Sequence, residues 1–169
     1  NPLFRDKYVT IITSSNVNSL TDYFIEDVRL SDKKHNQVYS ILQCWEVDNC
    51  LERILARVLQ YQDINPDSTR AAIGDEIKDK DIFEPTLSRT LLQIVIGKNL
   101  NNKRWLDINS GWGNSLLSAM SLDMIYTGYN PNIALKSGHS EMIKLFSDVY
   151  KHKIYYESFL TSNLDQSYD

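Results

Sequence analysis

Trp105-Leu-Asp-Ile-Asn-Ser-Gly-Trp-Gly-Asn114 is the stretch on which the fold turns. An apolar run carries the acid Asp107 near its end, and a turn containing Gly111 and Gly113 follows. Small and apolar residues then resume at helical spacing with Leu116, Leu117, Ala119 and Met120. Together these read as a strand, a tight glycine turn and a helix start. Such a junction brings backbone N–H groups and the positive end of a helix close to a ligand. A nucleotide-like cofactor is therefore expected at this turn.

The flanking sequence supplies a sheet around it. Upstream, Glu84-Pro85-Thr86 opens a helix with Leu87, Leu91, Ile94 and Val95 on one face, and Gly97 stands where a left-handed residue closes a helix. The strand is expected over 104–108 and the next helix over about 114–122. Met124 to Tyr129 reads as a second strand ending in Asn130-Pro131-Asn132. Residues 134–150 read as a helix with Met142, Ile143, Phe146 and Val149 as its stripe, and Lys153 to Phe159 as a third strand. From residue 86 the order is α-β-α-β-α-β, the signature of a parallel sheet with crossover helices.

The first half is helical in pattern. A short β-like run, Tyr8 to Ile12, precedes a Ser/Asn-rich break. Thr21 is expected to cap a short helix with Phe24, Ile25 and Val28 on its apolar side, and Lys33 to Tyr39 reads as loop. Asp48 is expected to cap the clearest helix of this half. Its stripe is Leu51, Ile54, Leu55, Val58 and Leu59, with Glu52, Arg53 and Arg57 opposite. Residues 65–82 are polar and punctuated by Pro66 and Gly74, which reads as a boundary. The expected organisation is a mainly helical extension over 1–82 and an α/β domain over 83–169.

Composition narrows the function classes. A chain of 169 residues with 42% apolar content can bury a real core and is not expected to be disordered. A net charge of −4 excludes the global basic field that dominates nonspecific nucleic-acid binding. The short basic clusters at Lys33-Lys34-His35 and at Lys98 with Lys103-Arg104 read as solvated surface. Cys44 and Cys50 show neither a disulfide-scaffold nor a zinc pattern, so a reducing, cytoplasmic setting is expected. No apolar run approaches the roughly 20 residues needed to span a bilayer, and the polar, proline-broken start does not read as a signal peptide. His35, His139 and His152 lack ligand spacing and read as surface histidines, so no metal is expected. Ser14, Ser15 and Ser110 lack a base partner or a nucleophile elbow, which disfavours hydrolase chemistry.

Ligands on open parallel sheets bind at the carboxyl ends of the strands. Three features fall there: Asp107 with its glycine turn, Asn130-Pro131-Asn132, and Glu157-Ser158-Phe159. In dinucleotide folds an acid at the second strand end accepts hydrogen bonds from ribose hydroxyls, and here Asn130 holds that slot. The turn has no third spaced glycine, so the nicotinamide-dinucleotide fingerprint is weak and an oxidoreductase is the least favoured reading.

Phe83-Glu-Pro-Thr-Leu87, Leu106-Asp-Ile-Asn-Ser-Gly-Trp-Gly-Asn114 and Tyr126-Thr-Gly-Tyr-Asn-Pro-Asn132 together resemble the S-adenosylmethionine-dependent methyltransferases of large DNA viruses and phages. Those carry an Asp-Pro-Ser-Ala-Gly-Trp-Gly-Asp-Arg type motif followed by Gly-Val-Asp-Pro-Asn. The resemblance covers residues 83–169, and Leu20-Thr-Asp-Tyr-Phe24 extends it less specifically. It implies a class I, Rossmann-like parallel sheet, S-adenosylmethionine as cofactor and a nucleic-acid base, adenine, as methyl acceptor. It also implies a viral protein concerned with DNA modification, located in the host cell or the virion. Asp107 would organise the turn and approach the methionine ammonium, and Ser110, Gly111 and Gly113 would pack on the methionine part. Asn130 would face the ribose, and the segment Tyr156–Phe159, with Glu157, would lie near the adenine, Phe159 offering an apolar or stacking surface. Asn109, Trp112 and Asn132 complete the expected cofactor-binding set, although Trp112 also suits core packing.

The chain departs from the pattern in three places. Asn130 stands where the family has Asp, and loss of a charge-assisted acceptor weakens ribose binding by about 1–3 kcal/mol. Ser115 stands where the family has Arg. No Asn/Asp/Ser-Pro-Pro-Tyr/Phe segment follows by Gln166-Ser-Tyr-Asp169, so the sheet is expected to be incomplete at the C-terminus and no catalytic residue is assigned. Asn1-Pro2-Leu3-Phe4 resembles that segment superficially, with one proline in place of two. The expectations are a methyltransferase or, alternatively, an inactive or truncated methyltransferase-fold subunit. In the second case another protein chain would pair with the open sheet edge.

Overall fold

The computed structural model describes residues 18–33, 37–61, 64–77, 84–162 and 168. The chain divides into two compact units, residues 1–25 with 83–169 and residues 26–82. The expected strand at Tyr8 to Ile12 lies outside the described residues, as does His35.

The first unit is α/β. Helix α5 (Pro85–Val95) begins with proline at its first turn, where the missing N–H costs nothing. Strand β1 (Arg104–Asp107), helix α6 (Asn114–Ser121), strand β2 (Ile125–Tyr129), helix α7 (Lys136–Phe146) and strand β3 (His152–Tyr155) follow in chain order. Short 3₁₀ turns at Ile133–Leu135 and Phe159–Thr161 sit before α7 and after β3. The three strands are parallel in the order β1-β2-β3, with Trp105 opposite Tyr126, Asp107 opposite Gly128 and Tyr129 opposite Tyr155. The third strand is shorter than expected, since the chain leaves the sheet after Tyr155. Helix α7 stops at Phe146 because Ser147 is extended, which leaves Phe146 and Val149 exposed.

The core of this unit joins Leu116, Leu117 and Ala119 of α6 to Tyr126 of β2 and Met142 and Ile143 of α7, with Leu92 and Trp105 packed against them. Burial of each large aliphatic side chain contributes about 1.5–3 kcal/mol. The start of α1 (Asn18–Ser31) belongs here as well. Phe24 packs on the core and meets the ring of Phe146 edge-on at 5.8 Å. Gly138 admits this contact, because a Cβ there would collide with the Phe24 carbonyl and the Ile25 side chain. Thr21 is not the expected cap. It lies inside α1, and its hydroxyl donates to the Asn114 side chain at the first residue of α6.

The second unit is helical. Helix α2 (Ile41–Glu46) is opened by a reciprocal capping pair between Ser40 and Gln43. The extended residue Val47 separates it from α3 (Asp48–Gln60). Asp48 makes no capping hydrogen bond and instead places its charge in the first turn, where the helix dipole favours it. The buried stripe of α3 is Cys50, Ile54 and Val58, whereas Leu55 and Leu59 are exposed. Residues 66–77 form a further helix, α4 (Pro66–Ile77), where a polar boundary was expected. Asn65 explains it: its side chain accepts from the Ser68 N–H at 2.8 Å, and Pro66 opens the first turn. Arg53 and Arg57 of α3 pair with Glu76 of α4.

Cys44 and Cys50 are joined as a disulfide, with their Cα atoms 5.2 Å apart, against the expectation of two free thiols. The break at Val47 is the reason. It turns the chain between α2 and α3 and brings together two positions that one continuous helix would separate. Among the described residues no helix is long and apolar enough to cross a membrane.

Candidate functional site

The site begins where β1 ends. The Asp107 carboxylate accepts from the Asn109 N–H at 3.0 Å with one oxygen and from the Tyr126 hydroxyl at 2.8 Å with the other. It thereby turns the chain out of the strand and ties the turn to the neighbouring strand. Burial, and then the carboxylate it faces, push the Tyr126 hydroxyl well above its usual range, so it remains a donor. Gly128 makes room for this link: a Cβ there would stand 2.8 Å from the Tyr126 ring and 3.0 Å from the Ser110 Cβ.

The turn itself requires its glycines. Gly111 has φ +51° and Gly113 φ +97°, the left-handed region that side chains disfavour. Gly113 caps α6, and a Cβ on it would lie 3.1 Å from the His139 ring. Above Gly111 there is space, since the nearest atom to a Cβ would be the Asn109 carbonyl at 3.9 Å. Ser110 is buried and donates from both its N–H and its hydroxyl to the Tyr129 carbonyl.

Asn130 closes the turn from β2. Its side-chain N–H donates to the Gly111 carbonyl at 2.7 Å, and its side-chain oxygen accepts from the Asn132 N–H at 2.9 Å. An ionised aspartate could not make the first bond, because the Gly111 carbonyl needs a donor. The asparagine is thus the residue type that this loop-to-loop link demands. Asn132 in turn accepts from the Ala134 N–H and starts the 3₁₀ turn.

His139 lies under the turn with no solvent exposure, its Nδ1 3.1 Å from the Tyr156 hydroxyl and its Nε2 without a hydrogen-bond partner. Burial pushes it down to about 4, the Trp112 backbone opposing the shift, so the ring is neutral at pH 7. Burial likewise pushes the Tyr156 hydroxyl up to about 12. His152 is buried too and is lowered to about 4 by burial, and then by Lys151. Neither His139 nor His152 is the surface histidine that the sequence suggested.

Of the expected residues, Asp107, Ser110, Gly111, Gly113, Asn130 and Asn132 form one connected corner at the ends of β1 and β2. Asn109 is exposed and lends its N–H to Asp107. Trp112 is half-buried. Phe159 meets the Tyr129 ring edge-on at 5.3 Å, beside the stacked pair Tyr129 and Tyr155, while Glu157 is exposed. On the β1 side of Asp107 a cavity of about 290 Å³ is walled by Leu91, Leu92, Val95, Ile96 and Trp105, with Ser88, Asp107 and Ser115 as its polar groups. The Ser88 hydroxyl is buried without a hydrogen-bond partner.

Tyr126 and Ser88 were not singled out from sequence, Tyr156 was expected only as the start of a segment near an adenine, and His139 was read as a surface residue. Parallel register sets Gly128 opposite Asp107, and Tyr126 precedes Gly128 by two residues on the same strand. Leu135, His139, Met142 and Ile143 share one buried helical stripe, which carries the signal for His139. Among the described residues no group of three or more His, Cys, Asp or Glu is placed to hold a metal ion. No protein-family model, curated protein or solved structure matches this chain.

Proposed function

We propose that residues 83–169 form a Rossmann-like domain of the class I methyltransferase kind, which binds S-adenosylmethionine over the Ser110–Gly113 turn. The observation that carries this reading is the turn: two left-handed glycines at the carboxyl end of β1, open above Gly111 and leading into α6. A backbone without Cβ atoms lets a ligand approach closely, and the helix start favours its polar end. The residues fit such a ligand in this respect. Asp107 and Asn130 hold the turn, the half-buried Phe159 beyond the end of β3 offers aromatic surface, and the apolar cavity beside Asp107 and Ser115 would exclude water from the acceptor.

When bound, the cofactor supplies a methyl group already activated on a sulfonium, so the chain's task is positioning rather than acid–base chemistry. By the resemblance, the acceptor would be a nucleic-acid base, adenine, in a DNA-modifying viral protein working in the host cytoplasm or carried in the virion. Calorimetric titration with S-adenosylmethionine tests the binding claim: saturable heat at sub-millimolar cofactor is expected. Absence of heat at millimolar cofactor from a folded chain overturns it.

A second reading has its own observation. Both oxygens of Asp107 and both side-chain ends of Asn130 are engaged within the protein, so the polar groups that would greet a ribose are committed to holding the turn. This favours a methyltransferase-fold subunit without activity, whose open sheet edge pairs with another protein chain. Light scattering with size exclusion separates the two: a stable complex with loss of monomer supports the subunit, and a monomer that binds the cofactor rejects it.

A further inference from the structure

The cavity beside the end of β1 has a chemistry of its own. It measures about 290 Å³, and all its lining residues belong to the α/β unit. Leu92 and Trp105 form its inner wall, and Leu91, Val95 and Ile96 keep exposed surface, so it opens to solvent along α5. An apolar cavity of about 150 Å³ holds a benzene ring, so this one has room for two fused rings. Three polar groups interrupt the apolar lining: Ser88, Asp107 and Ser115. Ser88 is 2% exposed, and its hydroxyl has no hydrogen-bond partner. A buried hydroxyl left in that state destabilises the fold, and a ligand is the natural source of the missing partner. Each oxygen of Asp107 receives one hydrogen bond from the protein, and a carboxylate has room for more.

We infer that this cavity binds an uncharged bicyclic aromatic ring with an N–H at its edge. Hydroxyls accept as well as donate, and a carboxylate only accepts, so a donor N–H is the one group that Ser88, Asp107 and Ser115 can all receive. Trp105 favours an aromatic occupant over an aliphatic one, since ring pairs gain beyond the area they bury. A charged group would be buried against apolar side chains, which costs far more than burying a neutral ring. Asp107 and Ser115 flank the glycine turn in sequence, so the occupant sits beside any ligand that the turn holds. The inference goes beyond the cofactor reading and does not rest on it, because it uses no contact with the Ser110–Gly113 backbone.

The test uses the whole chain, labelled with ¹⁵N and free of S-adenosylmethionine, and follows the side-chain N–H signals of Trp105 and Trp45. The probes are indole and 1-methylindole, which differ by a methyl group in place of the edge hydrogen. Indole should move the Trp105 signal saturably and leave Trp45 in place. 1-Methylindole should bind about tenfold more weakly. Ser88→Ala should weaken indole binding about tenfold while the melting temperature holds or rises, because the substitution removes an unpartnered buried hydroxyl. A hydroxyl that served only the fold would lower the melting temperature when removed. No movement of Trp105 at millimolar indole, equal affinity for the two probes, or a Ser88→Ala chain that is destabilised or binds indole unchanged would overturn the inference. None of these outcomes bears on the calorimetric titration with S-adenosylmethionine, so the two readings fail separately.

Discussion

Replacing Asn130 by aspartate introduces the residue type carried by the methyltransferases that the sequence resembles, and for that reason it discriminates sharply. If Asn130 were merely a weakened ribose acceptor, Asn130→Asp would tighten cofactor binding at no structural cost. The geometry gives the opposite outcome. The side-chain N–H of Asn130 spans 2.7 Å to the Gly111 carbonyl, and the residue is 5% exposed. A carboxylate there sets oxygen against oxygen. Loss of the bond costs about 1 kcal/mol, and setting the part-buried Gly111 carbonyl against a charged carboxylate oxygen, both left without a donor there, adds roughly 1–3 kcal/mol. The total of about 2–4 kcal/mol corresponds to a fall in melting temperature of roughly 4–16 °C for a chain of this length. Burial beside a carbonyl raises the introduced carboxyl above the ordinary value near 3.9, and its protonated form can donate to Gly111. The deficit relative to the native chain should therefore be small near pH 5 and grow towards pH 8. Thermal melts of both proteins across that range, with calorimetric cofactor titration at pH 7.5, provide the assay. Equal stability together with tighter cofactor binding would refute the account of the turn.

Other substitutions probe the same corner. Gly113→Ala puts a Cβ at φ +97° and 3.1 Å from the His139 ring, and urea unfolding should show a loss of about 2–3 kcal/mol. Gly128→Ala displaces the Tyr126 ring from Asp107 and should cost about 1–3 kcal/mol, with the Tyr126 hydroxyl titrating at lower pH in ultraviolet difference spectra. His139 titrates at about 4 when folded against 6.5 otherwise, so its contribution is complete above pH 6.5 and lost as pH falls towards 4. That gap is worth roughly 3 kcal/mol. His139→Gln should flatten the fall in urea midpoint between pH 7 and 4.5, leaving the part that His152 contributes.

The sheet unit was largely legible because its signals are local and mutually consistent. Apolar runs of strand length end at Asp107 and Asn130, glycines stand where positive φ is required, and Gly97 closes α5 at φ +114°. What escaped the sequence has physical causes. Helix α4 was hidden because Asn65-Pro66 reads equally as a breaker and as a helix start, and only the Ser68 pairing decides between them. The Cys44–Cys50 link depends on one extended residue, Val47, between two helices. His139 is a polar residue on an apolar stripe, and its burial is set by the glycine turn packed against it, a contact between distant parts of the chain. The role of Asn130 was obscured because its type was weighed against a ligand, whereas its amide serves the Gly111 carbonyl.

The central claim is that the Ser110–Gly113 turn is a cofactor-binding surface. Backbone ¹⁵N–¹H spectra recorded during titration with S-adenosylmethionine test it most directly. The account predicts saturable shifts concentrated at Gly111, Trp112 and Gly113, with the signals of the helical unit unmoved. A folded chain whose turn amides stay in place at millimolar cofactor would contradict it.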